Sequence, residues 1–526
     1  MSEKREIVKA AGVLGGATIL SRIMGMVRDM VVSRLFGAGM ATDAFFAAFL
    51  IPNMLRRFFA EGALTSAFVP TFTEYYQRDR EEARHLARVA FSVLLVVMGA
   101  VTLLGILLSP MIVRLMYPGF VSFPDKFSLT VTLNRIMFPY IFCISIVALF
   151  MGILNTARHF LTPAISTIFL NLAMISSALL LHDRFQIPVV SLAVGVIMGG
   201  ALQLLLQLPP LYARGFRLSF EPDFSHPAVR RIILLMGPSL FGVGVYYLNL
   251  TVSAILASLL PQGSVSYLYY AQRLFEFPQG IFTVSVAQAV LPTMSRQASS
   301  GDLDGMKESL SFGLRLVIFI TVPAMVGLFA CSTPILSLLF MGGEFGYETV
   351  VRSADALRCY LLGLSVVAMV RVTVPAFHAQ KDTKSPVIAA FVAFVVNLAA
   401  SLLLMGPLLH AGLALASSIS SLVNLALLLW MLRRQIGPFE GRRILVTLLR
   451  TLGGAIPMGV AVSWLINQID WSYAGDRLLK GGVLLGGIIL GAIVYLLLLL
   501  LLGSEEIRDA IAIMGKRISR VRKGVH

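Results

Sequence analysis

Charged side chains, among them Arg22, Arg28, Asp29, Asp43, Arg56, Arg57 and Glu61, are threaded through the stretch from residue 21 to 76, in apolar segments long enough to cross a bilayer. A charge at the centre of a membrane helix costs roughly 2.5 to 3.5 kcal/mol on insertion scales, so a set of them must face water or one another. The spacing meets that demand. Arg22 and Asp29 are seven residues apart, and Asp43 and Arg57 fourteen, which puts each pair within about 40° on a helical wheel. Each helix then carries one hydrated face. A single residue of this kind can snorkel to a helix end or close a salt bridge. The set does not cancel, because its arginines outnumber its acids, and surplus guanidinium groups in a wet cavity suit the recognition of an anion. Arg273 is a further candidate, three residues before Glu276 in YYAQRLFEFPQG, where a private ion pair is the competing reading.

The rest of the chain is what must position these groups. Of 526 residues, 57% are hydrophobic and 13% charged, and mean hydropathy is +0.84, outside the range of soluble globular domains. An all-α polytopic membrane protein is expected. The net charge of +16 follows from the Lys and Arg excess that holds loops on the cytoplasmic side, and no nucleic-acid partner is expected. Cys143, Cys331 and Cys359 stand singly, without the spacing of a disulfide framework or a zinc site. No cofactor is called for; metal ligands and a coupling ion are left open. The opening MSEKREIVK and AAGVLGGATIL have the charge and apolar run of a secretory signal, but no small-residue cleavage site follows. The segment is kept as the first span.

A span needs about 20 apolar residues. Runs of that kind fall near 8–34, 42–73, 88–116, 130–155, 162–182, 188–212, 229–260, 265–294, 311–340, 354–377, 386–406, 411–432, 444–468 and 479–503, fourteen in all. Alternate connections are basic, as at Arg78, Arg80 and Arg84, at Arg214 and Arg217, and in the tail from Lys516 to Lys523; the others, such as GAGMA, LPQGSV and GPLLHAG, are nearly free of Lys and Arg. Both termini are therefore expected on the cytoplasmic side.

Four landmarks recur in the same order. Val69-Pro70-Thr71 matches Leu291-Pro292-Thr293, and Phe45-Phe46 matches Tyr269-Tyr270; Thr162-Pro163 matches Ser385-Pro386, and Asn171-Leu172-Ala173 matches Asn397-Leu398-Ala399, all at offsets of 222 to 226 residues. Such a period holds six spans, so both copies enter the membrane from the same side and are related by an axis along its normal. The expected layout is an N-terminal lobe at 1–212, a linker at 213–228, a C-terminal lobe at 229–434, two extra spans at 435–503 and a basic tail at 504–526. The two six-helix lobes would flank a central cationic cavity. Pro52 and Pro278 fall inside the second and eighth spans, where each removes a helical hydrogen bond and favours a kink. The glycines of the last two spans are read first as close helix packing.

SRIMGMVRD, GAGMATDAFFAAFLIPNMLRRFFAEGALTSAFVPTF and YAQRLFEFPQG closely resemble the MurJ (MviN) family of lipid II flippases, within the superfamily of multidrug, oligosaccharidyl-lipid and polysaccharide exporters. The resemblance implies fourteen helices around a cationic cavity and outward transport of the undecaprenyl-pyrophosphate-linked peptidoglycan precursor by alternating access, in a bacterial inner membrane. It implies substrate-binding roles for Arg22, Arg28, Asp29, Asp43, Arg56 and Arg273, with Glu276 beside the last, and a groove for the lipid tail along residues 444–503. Its partners would be lipid II, membrane lipids and the cell-wall synthesis machinery.

Other classes fit less well. A flippase for another polyprenyl-linked oligosaccharide would need the same chemistry, whereas an exporter of cationic drugs would want carboxylates where arginines are in surplus. An enzyme transferring a phospho-sugar would want paired aspartates for Mg²⁺, and no Asp-Asp pair occurs; there is also no P-loop. A transporter, not an enzyme, is expected. A scaffold would have no use for the charges.

Overall fold

The computed structural model describes the backbone of residues 2–56 and 65–507, with side chains except at 2–11, 13, 14, 65, 66, 237–246, 281, 282 and 284. The chain divides into two compact units, one of Met1–Ser266 with Gly342–Phe345, the other of Tyr267–Met341 with Gly346–His526. Among the described residues every regular element is helical, and the one β-bridge is the isolated pair Gly342 and Phe345. That is the solution lipid demands, since a helix bonds its own backbone.

The first unit contains α1 (Ser2–Phe36), α2 (Met40–Arg56), α3 (Thr65–Arg78), α4 (Arg80–Leu107), α5 (Ser109–Met116), α6 (Pro124–Met137), α7 (Tyr140–Thr156), α8 (Leu161–Leu181), α9 (Val190–Ala213) and α10 (Pro227–Ser258). Helix α8 packs between α1 and α9, and α2 lies along α6. Phe68, Phe72, Phe150 and Phe216 form the aromatic centre where α3, α4 and α7 meet. The second unit contains α11 (Ser264–Pro278) beyond its first turn, α12 (Val284–Ser299), α13 (Leu303–Ala330), α14 (Ser332–Phe340), α15 (Tyr347–Leu361), α16 (Leu364–Ala379), α17 (Lys384–Ile436), α18 (Gly441–Ile466) and α19 (Arg477–Leu501). Its cores gather around Leu314, Val372 and Phe377, and around Met458, Tyr495 and Leu499.

The internal repeat is visible in the start points. Helices α4, α5, α6 and α8 begin at Arg80, Ser109, Pro124 and Leu161; α13, α14, α15 and α17 begin at Leu303, Ser332, Tyr347 and Lys384, each 223 residues on. The caps repeat with them. Asp79 accepts from the Glu81 amide to start α4, and Asp302 from the Gly305 amide to start α13. Before α8 the chain reverses through Arg158 at φ 58°, with the His159 amide on the Leu154 carbonyl at 2.8 Å; before α17 it reverses through Lys381 at φ 61°, with Asp382 on Phe377 at 2.9 Å. Two non-glycine residues in the left-handed region at one offset mark a shared turn.

The expected spans are in part divided into shorter helices and in part merged. Eight described helices are long and apolar enough to cross a membrane, or nine with α15 and α16 counted as one span bent by 41°. Helix breakers account for part of the difference. Pro110 opens α5 just past the end of α4, and Pro278 ends α11 ahead of a π-helical turn at Gln279–Thr283. Conversely, α17 runs through the eleventh and twelfth expected spans, broken at Leu409 (φ 51°, ψ −131°).

Candidate functional site

Arg28 and Asp29 sit late in α1, where it packs on α8, and are 5% and 3% exposed. Neighbouring helix residues do not normally face each other. Here the arginine side chain folds back, and Nε and Nη2 both donate to Asp29 Oδ1, at 3.0 and 2.7 Å. Its other edge is met from α8, with Nη1 donating to Asn171 Oδ1 at 3.1 Å. Enclosing such a pair costs desolvation that only good geometry and added hydrogen bonds offset. Spacing had placed Asp29 on a common face with Arg22; the structure gives it Arg28, while Arg22 is exposed.

Asp43 lies in the first turn of α2 and is fully enclosed. Both of its oxygens are taken. Oδ2 accepts from Lys126 Nζ at 2.8 Å and the Gly263 amide at 2.7 Å; Oδ1 accepts from the Ser266 amide at 2.9 Å and its hydroxyl at 2.7 Å. The carboxylate thus closes the first turn of α11 from another element, as a capping residue does from its own. Lys126 is 5% exposed, with Nζ 4.1 Å from the Phe120 ring centroid. Sequence reasoning did not single it out, because a lone lysine after Pro124 looks like a loop cation. The one signal was an apolar segment on either side.

Arg56 is half-buried at the end of α2, and its Nε donates to Asn53 Oδ1 at 3.1 Å. Arg57 and Glu61 lie outside the described residues. On α11, in the second unit, the Arg273 guanidinium stands 5.5 Å from the Tyr269 ring centroid, and Glu276 accepts from Gln272 Nε2 at 3.0 Å.

The glycines of the last two helices are used for contact. A Cβ on Gly491 would fall 2.8 Å from Val462, and one on Gly454 3.3 Å from Leu499 and Tyr495, which keeps α18 and α19 close. An open apolar groove of about 450 Å³ lies beside them, between Phe329 of α13 and Ile456, Val460 and Trp464 of α18. Among the described residues no group of three or more His, Cys, Asp or Glu side chains is placed to hold a metal ion.

Residues 32–481 match the model of the family described as lipid II flippase MurJ. The chain is 38% identical over 513 residues to a probable lipid II flippase MurJ of Vibrio cholerae, covering 95% of this chain and 97% of that protein. It is 34% identical over 475 residues to the lipid II flippase MurJ of Burkholderia cenocepacia, covering 89% and 91%. Among solved structures, a lipid II flippase MurJ in an inward closed conformation superposes with a TM-score of 0.75 at 27% identity, over 95% of this chain and 99% of that one. An inward-facing MATE family multidrug transporter of the MOP superfamily shares the fold, at a TM-score of 0.68 and 14% identity, over 79% and 94%. Two lines thus converge, buried and half-buried arginines on apolar helices and likeness along nearly the whole chain: the protein is a member of the lipid II flippase MurJ family, a family of membrane transporters and not of enzymes.

Proposed function

We propose that this protein carries lipid II, the undecaprenyl-pyrophosphate-linked peptidoglycan precursor, from the cytoplasmic to the periplasmic leaflet of the inner membrane by alternating access. The observation that carries the reading is Arg28, a guanidinium only 5% exposed on an apolar helix, gripped by Asp29 and Asn171. A pyrophosphate cannot enter hydrocarbon bare, so a carrier must replace its water with fixed donors while the isoprenoid tail stays in lipid. Arg22, Arg28, Arg56 and Arg273 are the proposed anion contacts, with Asp29 and Glu276 setting the two arginines beside them. Asp43, whose oxygens have four donors, works with Lys126 as a clamp on α11 and not as a substrate contact.

Fourteen spans result if α2 and α3 belong to one span, if α4 with α5, α6 with α7, α11 with α12, α13 with α14 and α15 with α16 each make one more, and if α17 is two. Residues 1–212 and 229–434 then form two six-span lobes joined by 213–228, and α18 and α19 guide the lipid tail. Both termini are cytoplasmic, and membrane lipids and the cell-wall synthesis machinery are the neighbours. Transport of purified lipid II by proteoliposomes, with and without an imposed potential worth about 2.3 kcal/mol per charge per 100 mV, is the test. Movement above protein-free vesicles is expected; equal movement by a variant lacking all four arginines would reject the reading.

A further inference from the structure

We propose that Asn171 is a positioning residue for anion recognition, acting through Arg28; this rests on Arg28 touching the substrate and adds what aims it. Asn171 drew attention in the sequence only as a landmark of the repeat. In the structure it is 4% exposed, and its side chain is held at both ends. Nδ2 donates to the Ser21 carbonyl of α1 at 3.4 Å and to the Thr167 carbonyl, one turn back on α8, at 3.3 Å. Turning the amide over would set an oxygen against two carbonyl oxygens. Oδ1 is therefore fixed toward α1, where it takes Arg28 Nη1 at 3.1 Å. Met174, one turn on, brings its sulfur to 3.9 Å of the same nitrogen.

With Asp29 on the Nε and Nη2 edge and Asn171 on Nη1, the guanidinium plane is set by two elements before any ligand arrives. An arginine reads a phosphate through a planar fork, so a preset plane favours binding. Among the described residues the repeat-equivalent Asn397 meets no arginine in this way, being 3% exposed with its Nδ2 donating to Ser420 Oγ at 3.4 Å.

Binding of lipid II to the purified full chain in detergent, in a double-mutant cycle of Asn171→Leu with Arg28→Lys, tests this. Asn171→Leu alone should weaken binding about tenfold, the scale of a misoriented contact. In the Arg28→Lys background the same change should cost less than about twofold, because an ammonium has no plane to set. Equal losses in both backgrounds would mean a structural role, and no loss in either would mean none; each overturns the proposal. Arg28→Ala is the control: binding as tight as that of the unaltered chain would remove Arg28 from the site, and this proposal with it. A loss there without coupling to Asn171 sinks only the proposal. Should Asn171→Leu accumulate poorly, Asn171→Ser, too short to reach Arg28, goes through the same cycle.

Discussion

At the scale of single residues, the membrane-embedded charges divide into those with every atom engaged and those at an edge. Asp43 is of the first kind. Removing one partner of a buried ion pair strands the other charge, at a cost of about 3 to 5 kcal/mol, whereas replacing both is often close to neutral. Asp43→Ala should therefore depress the unfolding temperature of the purified protein sharply, and Lys126→Met with Asp43→Asn should recover most of it; a double variant as unstable as the single would show that the clamp is not an isolated pair. Arg273 poses the opposite question. If it binds pyrophosphate, Arg273→Ala should abolish support of cell-wall synthesis at normal membrane abundance, and adding Glu276→Ala should not restore it. Recovery in the double variant would reduce Arg273 to a partner of Glu276.

At the scale of elements, the caps and breaks decide where helices start. Asp382 accepts from the amides of Lys384 and Ser385 at 2.9 and 3.0 Å and from Gln435 Nε2 at 2.6 Å, tying the start of α17 to its far end. Those bonds, Ser385 first, hold its carboxyl down at about 2, below the ordinary 3.8. A depressed carboxylate stabilises the fold above its unfolded value and loses that contribution as pH falls through the folded one. Asp382→Ala should cost about 1 kcal/mol, as a lost cap does, with a deficit in unfolding temperature constant from pH 7 to 5 and shrinking below pH 4. A deficit that grows in acid would contradict the cap. His226 works in the opposite sense of charge: its Nδ1 accepts from the Ala228 amide at the start of α10, and burial, then His85, pushes its pKa below 6.5. Its contribution is present above that value and fades as pH drops below it. Close contacts matter equally, since a Cβ on Gly105 of α4 would fall 1.8 Å from the buried Phe138 ring. Gly105→Ala should destabilise by about 1 to 3 kcal/mol, the range for overpacking.

At the scale of the molecule, the loops carry the predictions. A Cβ on Gly39 would stand 3.8 Å from Gln262 Nε2, so Gly39→Cys with Gln262→Cys should bridge with a short bifunctional reagent. Transport should stop on bridging and return when the bridge is cleaved; full activity in the bridged protein would show that these two loops need not separate during transport. Cysteines placed in 261–266 and 341–349 should react with an impermeant reagent from outside, and those in 78–86 and 435–442 should not. Labelling of the second set from outside would invert the proposed topology.

What the sequence by itself determined is local or periodic. A helical polytopic class follows from hydropathy, and the repeat is legible because each copy carries its own prolines and asparagines, as at Pro163 and Pro386; the shared caps at Asp79 and Asp302 and the common 223-residue offset are structural findings. Arg28 and Asp43 were visible because charge inside an apolar run is costly wherever the run ends up. Tertiary structure alone decided their partners. Helical spacing compares residues on one helix, yet Asp43 meets Lys126 from 83 residues away and Arg28 meets Asn171 from 143 away. It also decided that α10, first helix of the second sequence copy, packs on α3, α4 and α5 within the first unit. A side chain's neighbours depend on which helix lies across from it, and that is settled by packing of the whole, which no window of the sequence contains.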